Sequence, residues 1–345
     1  MAARVGLRDV AREAGVSVTT VSHVLNQTPS ARVNPGTRQR VLQTAAQLGY
    51  RADRLARGLR TKTSGMIGLL TEEIATTPHA GRIILGAQET AKQHGLTMAI
   101  INAALGEDAD DRTEDVLNLL DRRVDGIIYA TVYHDLVTPP TELRRCPAIL
   151  IGARDHRDLI PSVKPNEQAG AVEAMRLLLD QGHRRIAFAA CENDVPATRG
   201  RFLGYRAALE AAGIDFDESL VAAGESEAWG GYGAMSQILQ ACPDVTAVFS
   251  YNDRMAMGVY RALAEHGLEV PGDVSVIGFD DQAPIPASLY PGLTTLALPH
   301  YDLGAWAVNA LGAMIDGLAP PQSTELPCAL VVRGSVAAMR PRLGP

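Results

Sequence analysis

LRDVAREAGVSVTTVSHVLN, residues Leu7 to Asn26, holds two short amphipathic runs that meet at Gly15. In the first, Val10, Ala11 and Ala14 recur at helical spacing, while Arg8, Asp9, Arg12 and Glu13 occupy the other face. Gly15 and Val16 break the run, and Ser17 then stands where a helix N-cap hydroxyl accepts an orphan backbone N–H. The second run turns Val21, Val24 and Leu25 inward and leaves Val18, Thr19, Ser22, His23 and Asn26 outside. Two such helices form either an ordinary helical hairpin or a helix-turn-helix, whose second helix enters a DNA major groove. The short, polar, uncharged outer face favours the second reading, because Ser, Thr and Asn hydrogen-bond base edges and a Thr methyl meets a thymine methyl.

Charge supports this. The 345-residue chain carries −7 overall, yet residues 1–62 hold eleven Arg and Lys against three acids, a local charge of +8. The remainder therefore carries −15. A basic head on an acidic body is the footprint of a nucleic-acid module joined to something that is not one.

Beyond the two runs, Gln27 to Pro35 is polar and turn-rich. Gly36 to Leu48 then resumes helical period with Val41, Ala45 and Leu48 inward, a third helix closing a small core. A head of this size buries little and is marginal alone. DRLARGLR, Asp53 to Arg60, places Leu55 and Leu59 four apart between Arg54, Arg57 and Arg60. So short a helix containing Gly58 does not hold in isolation, so residues 51–63 read as a hinge that orders only on DNA, or as a plain charged linker. From Ser64 onward short Ile/Val/Leu runs alternate with amphipathic helices: MIGLL, TMAIIN, DGIIYA and PAILIGA, then, after SVKPNEQAG, RRIAFAA, SLVAAG, TAVFSYN and VSVIGFDD. TTLALP and LPCALVVRGS cross back. This is the signature of parallel sheets covered on both faces, and ligands of such sheets bind beyond the strands' carboxyl ends.

DVAREAGVSVTTVSHVLN, RQRVLQTAAQLGY and RLARGLRTKTSGMIGLL, in this order, resemble the lactose-repressor/galactose-repressor family of bacterial transcription regulators. The resemblance continues through nearly the whole chain. It implies an N-terminal all-α helix-turn-helix head plus an α/β periplasmic-binding-protein-like core of two parallel-sheet lobes. The head is 1–50 and the hinge 51–63; one lobe is 64–164 with 296–325, the other 165–295 with 326–345. It further implies a cytoplasmic, nucleoid-associated repressor that binds a palindromic double-stranded operator as a homodimer. A small molecule, a carbohydrate, binds between the lobes as effector. By this match Val18, Thr19, Ser22, His23 and Asn26 read DNA, Leu59 wedges into the minor groove beside Ala56, and Arg57 lies next to them. Wedging unstacks a base step and bends the duplex. No heptad tail follows VVRGS, which favours a dimer over a tetramer.

The same match names effector contacts. Arg199 in TRGRFLGYRAAL is taken as the effector arginine in preference to Arg201, its planar fork suiting oxygen ligands. Asn252 and Asp280 stand at strand ends, where amide and carboxylate groups pair with vicinal hydroxyls. For Asp253 a helix cap, and for Asp281 a turn, is the better reading. His300 falls where relatives place a packing aromatic. Glu73 is a weaker candidate, and Ile74 and His79 weaker still. The chain departs from the family pattern at Ala52, where a Pro is usual, at Gly152, where some sugar-binding relatives have an acid, and at Ser226, where several have an aromatic platform. Trp229, out of register nearby, is the available stacking face.

No membrane-length apolar run, export signal, CxxC pair or metal-spaced His set is visible, and Cys146, Cys191, Cys242 and Cys328 read as buried thiols of a reduced compartment. No metal and no cofactor beyond the effector is expected. GxSxG, P-loop, HExxH and dinucleotide motifs are missing. Two rivals remain at this stage: a solute-binding protein for transport, and a sugar-processing enzyme using His300, Glu73 and Asp280. The wedge has a direct test. Leu59→Ala weakens operator binding in a gel shift while effector binding is unchanged; equal operator affinity removes the wedge.

Overall fold

The computed structural model describes residues 5–25, 32–50, 63–72, 74, 81–103, 112–131 and 136–340. The chain divides into two units, Met1–Gly65 and Met66–Pro345. Among the sequence candidates, Asn26, Ala56, Arg57, Leu59, Glu73 and His79 lie outside the described residues.

The first unit contains α1 (Leu7–Ala14), α2 (Val18–Leu25) and α3 (Pro35–Gln47). The Asp9 carboxylate accepts the Gly6 N–H at 3.0 Å and anchors the start of α1. Gly15 ends it in the left-handed conformation, φ 63°, which costs glycine little. Ser17 Oγ accepts the Thr20 N–H at 3.1 Å, so the expected cap of α2 is formed. The third helix begins at Pro35, one residue before the sequence estimate. A proline is accepted in a first turn, and the Asn34 side chain caps it by accepting the Gly36 N–H at 2.8 Å. Val10, Ala11, Ala14, Val21, Val24, Val41 and Ala45 form the buried cluster, and Arg40 Nε donates to the Ala14 carbonyl at 3.0 Å across it.

The second unit begins with β1 (Met66–Glu72), α4 (Gly81–Gln93), β2 (Thr97–Ala103), α5 (Thr113–Asp121), β3 (Gly126–Ala130), β4 (Leu136–Val137), β5 (Ala148–Ile151), β6 (Arg154–Asp155) and β7 (Ser162–Pro165). The chain then crosses to α6 (Glu167–Asp180), β8 (Ile186–Cys191), α7 (Pro196–Ala211), β9 (Val221–Gly224), α8 (Ala228–Ala241), β10 (Ala247–Ser250), α9 (Asp253–Glu265), β11 (Ser275–Asp280), α10 (Ile285–Ser288) and β12 (Thr294–Ala297). It returns as α11 (His300–Ile315) and β13 (Thr324–Leu326), and crosses a third time to β14 (Ala329–Val331). One sheet runs β13-β7-β5-β3-β1-β2 and the other β14-β12-β11-β10-β8-β9. Every neighbouring pair in both is parallel except β14, which lies antiparallel on β12. Strands β3, β5, β8 and β10 are buried at every residue, as sheets covered on both faces require.

Lobe membership differs from the sequence estimate in detail. Thr294–Ala297 pairs with Ile277–Asp280, so the return crossing follows Ala297 instead of falling at 295/296. Leu326 pairs with Pro165 and closes the first sheet, not the second. Strands β4, β6, β7 and β13 were not anticipated. They are short and only partly apolar, so no periodic run announces them.

Asp253 fastens three elements of the second lobe. Asn252, not Asp253, caps α9, its Oδ1 accepting the Met255 N–H at 2.8 Å. Asp253 follows it, fully buried, and accepts from Thr295 Oγ1 at 2.6 Å and from the Gln282 N–H at 2.7 Å. Burial, with the Asp280 charge nearby, pushes its carboxyl up to about 7. The folded chain therefore holds this proton while the unfolded chain has released it. The associated stability is present below the ordinary value of 3.8 and is lost as pH rises toward 7. Thermal unfolding on a pH series is expected to show stability falling from about pH 4 to pH 7, and Asp253→Asn is expected to lack that phase.

Candidate functional site

Two sites need separate description, one in each unit. On α2 of the head, Val18 and Thr19 are exposed and Ser22 and His23 half-buried, while Val21 and Val24 are sealed against α1 and α3. Val18, 41% exposed, is an outward apolar side chain in a unit with a very small core. The face is short and carries no acid; Arg8 and Arg12 are exposed on α1, Arg12 bound to Asp9 at 2.8 Å.

In the second unit the carboxyl ends of the strands of both lobes open into one cleft of about 470 Å³. The first lobe supplies Thr131 after β3, Ile151 and Gly152 at the end of β5, Lys164 and Pro165 of β7, and Glu325 of β13. Ile83 of α4 and His300 and Leu303 of α11 complete that wall. The second lobe supplies Glu167 at the start of α6, Val195 to Arg201 at the start of α7, Ser226, Tyr251 and Asn252 after β10, Arg254, and Asp280 ending β11. Helices α6, α7, α9 and α11 thus point their N-termini, with their partial positive charge, at the cleft.

The centre of the second wall is Arg201, 2% exposed. Its Nε meets Glu167 Oε2 at 2.8 Å and its Nη2 meets Asp280 Oδ1 at 2.9 Å, while Nη1 donates to the Tyr251 carbonyl. The guanidinium lies 3.9 Å from the Phe279 ring centroid and 4.6 Å from that of Tyr251. Asp280 is held at φ 104° and Asp281 at φ 50°, conformations rare for residues with a Cβ. Arg333 anchors Asp281 at 2.8 Å.

The expectation that Arg199 outranks Arg201 is corrected here. Arg199 lines the mouth, its side chain 46% exposed and paired with Asp194 at 2.7 Å, whereas Arg201 sits against Asp280. The signal was in the sequence: Arg201, Gly204, Tyr205, Ala208 and Leu209 share the buried face of α7. Asn252 and Asp280 reach the same cleft as His300. Asn252 is engaged twice, capping α9 and donating Nδ2–H to the Ser226 carbonyl at 3.1 Å. Trp229 does not line the cleft and is 62% exposed. The buried face of α8 is Gly230, Gly231, Ala234, Met235, Ile238 and Leu239, and Trp229 projects from the other side.

Gly152 accounts for one departure from the family pattern. It adopts φ 88°, and a Cβ there would come within 2.0 Å of the Thr131 carbonyl oxygen, so an acidic side chain has no room on this backbone. Each lysine and arginine lining the cleft has a carboxylate close by: Lys164 on Glu325 at 3.4 Å, Arg254 on Glu227 at 3.0 Å, and the two arginines of α7 as above. Among the described residues no group of three His, Cys, Asp or Glu forms a metal site, and no helix is long and apolar enough to cross a membrane.

The comparisons with known proteins agree with both sites. Residues 6–53 match the model of bacterial regulatory proteins, lacI family, and residues 175–336 match a periplasmic binding protein-like domain. Catabolite control protein A of Priestia megaterium is 33% identical over 89% of this chain and 91% of its own length. The ribose operon repressor of Escherichia coli K12 is 32% identical over 95% and 99%. Among solved structures, the lac repressor dimer bound to operator and the anti-inducer ONPF superposes with TM-score 0.78 at 29% identity, covering 97% of this chain and all of that one. A complex of the transcriptional regulator CelR with cellobiose gives 0.67 at 30% identity over 96% of this chain and all of that one. With a basic helix-turn-helix head, a two-lobed core and these relatives along nearly its whole length, the chain belongs to the lacI family of bacterial regulatory proteins and is a DNA-binding regulator of transcription.

Proposed function

We propose that this regulator is a cytoplasmic homodimeric repressor whose operator affinity is set by an uncharged carbohydrate bound between the lobes. The observation that carries the reading is the buried Arg201–Asp280 pair at the floor of a cleft with balanced charge. The outer Asp280 oxygen and the Arg201 fork together present an acceptor beside donors, the pattern that vicinal hydroxyls of a sugar satisfy. Ile83, Ile151 and Leu303 opposite provide apolar surface for ring carbons. The printed ligands of related structures, cellobiose and ONPF, support a sugar as the effector.

Arg201, Asp280, Asn252 and His300 are assigned to the effector, with Arg199 guarding the mouth. On the DNA side Val18, Thr19, Ser22, His23 and Asn26 are assigned to base edges, with Ala56, Arg57 and Leu59 on the minor groove at the operator centre. A palindromic operator then matches the dimer's two-fold axis. Basic residues of the head contact phosphates, which makes binding salt-sensitive. The effector must prefer one lobe arrangement to change operator affinity at all.

Two measurements test these assignments. In gel shifts with a neutral-sugar panel, Asp280→Asn abolishes the sugar-dependent change in operator affinity and keeps sugar-free operator binding, while Arg199→Ala shifts the sugar midpoint by only about threefold. An unaltered response in Asp280→Asn overturns the cleft assignment. His23→Ala relaxes base preference at one position of each half-site in a selection experiment, by about 1–3 kcal/mol of discrimination; an unchanged profile removes His23 from base reading.

A further inference from the structure

The two walls of the cleft are unlike. The second lobe presents Arg201, Asp280, Glu167 and Asn252, already bound to one another or to backbone, whereas the first presents mainly Ile83, Ile151 and Leu303. Within that apolar wall stands Thr131, at the carboxyl end of β3. It is 1% exposed, yet no described group is hydrogen-bonded to its Oγ1. A buried hydroxyl without a partner costs about 1–3 kcal/mol, so such groups are retained where something pairs with them. Gly152 lies directly beside it. The ideal Cβ position at Gly152 is 3.6 Å from Thr131 Oγ1, so the missing side chain opens a notch over the hydroxyl. Neither the carbonyl of Thr131 nor the left-handed backbone of Gly152 would tolerate a larger residue there.

We propose that Thr131 Oγ1 and the Gly152 notch form a hydroxyl-binding subsite on the first lobe. It takes one hydroxyl of the same neutral sugar whose other edge lies on Arg201 and Asp280. This rests on the reading of the cleft given above. The subsite gives the sugar a directional bond to the first lobe as well as to the second. The ligand then bridges the lobes, and the bridge is strongest when they are closed. The glycine that departs from the family pattern is therefore a specificity element: it exchanges an acidic side chain for access to a neutral hydroxyl. In this subsite the threonine hydroxyl donates to or accepts from the sugar, and the proton balance is unchanged.

The test uses the full-length protein and a panel of neutral monosaccharides and disaccharides that includes D-ribose, sucrose and cellobiose. The probe giving the largest thermal shift with wild type is titrated calorimetrically into Thr131→Val, Thr131→Ser and Asp280→Asn. Thr131→Val keeps the branched shape and removes only the hydroxyl. It is expected to weaken binding about tenfold, while Thr131→Ser stays within about twofold. Without sugar, Thr131→Val should melt at or above the wild-type temperature, because an unpaired buried hydroxyl has been removed. Wild-type affinity in Thr131→Val overturns the subsite, and so does a lower sugar-free melting temperature, which would mean that the hydroxyl supports the fold. If Asp280→Asn loses binding while Thr131→Val retains it, only the subsite fails. If no sugar on the panel binds wild type, the cleft reading fails and the subsite with it.

Discussion

A guanidinium sealed from water is tolerated only when its charge and donors are answered, and in this chain the answers to Arg201 come from three separate elements. Glu167 belongs to the first turn of α6, Asp280 to the end of β11, and the Tyr251 carbonyl to the loop after β10. Bringing these groups out of water costs several kcal/mol per ion, which good geometry recovers. The arrangement is over-determined, and it sustains the left-handed backbone at Asp280. The second wall of the cleft depends on this one interaction, because removing any member strands the others in a dry interior.

Around that fixed centre the molecule divides its chemistry. The head is basic and has one small apolar cluster; the body is acidic and has large cores in each lobe. Recognition of phosphate and base edges is confined to the first, and recognition of a small polar ligand to the second. Asp253, a few ångströms into the interior from the cleft, shows how closely the second lobe is knit. It joins α9, β12 and the loop after β11, and holds a proton near neutrality as a result of its burial.

Much of this was legible in the sequence wherever a local rule had one outcome. The 3.6-residue spacing of Val10, Ala14, Val21 and Val24, with Gly15 and Ser17 between them, specifies two helices and the turn joining them. Runs such as GIIYA and IAFAAC read as strands because both faces are buried. The misses arose where two adjacent residues competed for one role. Asn252 and Asp253 are both cap formers, and burial against Thr295 decided between them. Arg199 and Arg201 are two apart, and motif position chose one where helical period would have chosen the other. Trp229 was judged by proximity, whereas Gly230 and Gly231 fix the face of α8 that packs inward. Edge strands such as β13, half-exposed and containing Glu325, carry no burial pattern to read.

The crossings between lobes have a mechanical consequence. β7 and β13 are neighbours at one edge of the first sheet, and β12 and β14 are neighbours at one edge of the second. All three covalent threads therefore gather along a single seam, and the cheapest relative motion is a swing about it. The polypeptide enters the first lobe at β1, three strands from β7. At about 4.8 Å per strand this is a lever arm of about 14 Å. A modest angular change at the seam is thus magnified at the point where the body receives the chain from the head, so the order of strands in the sheet sets the gearing between a sugar-sized event and a DNA-sized one.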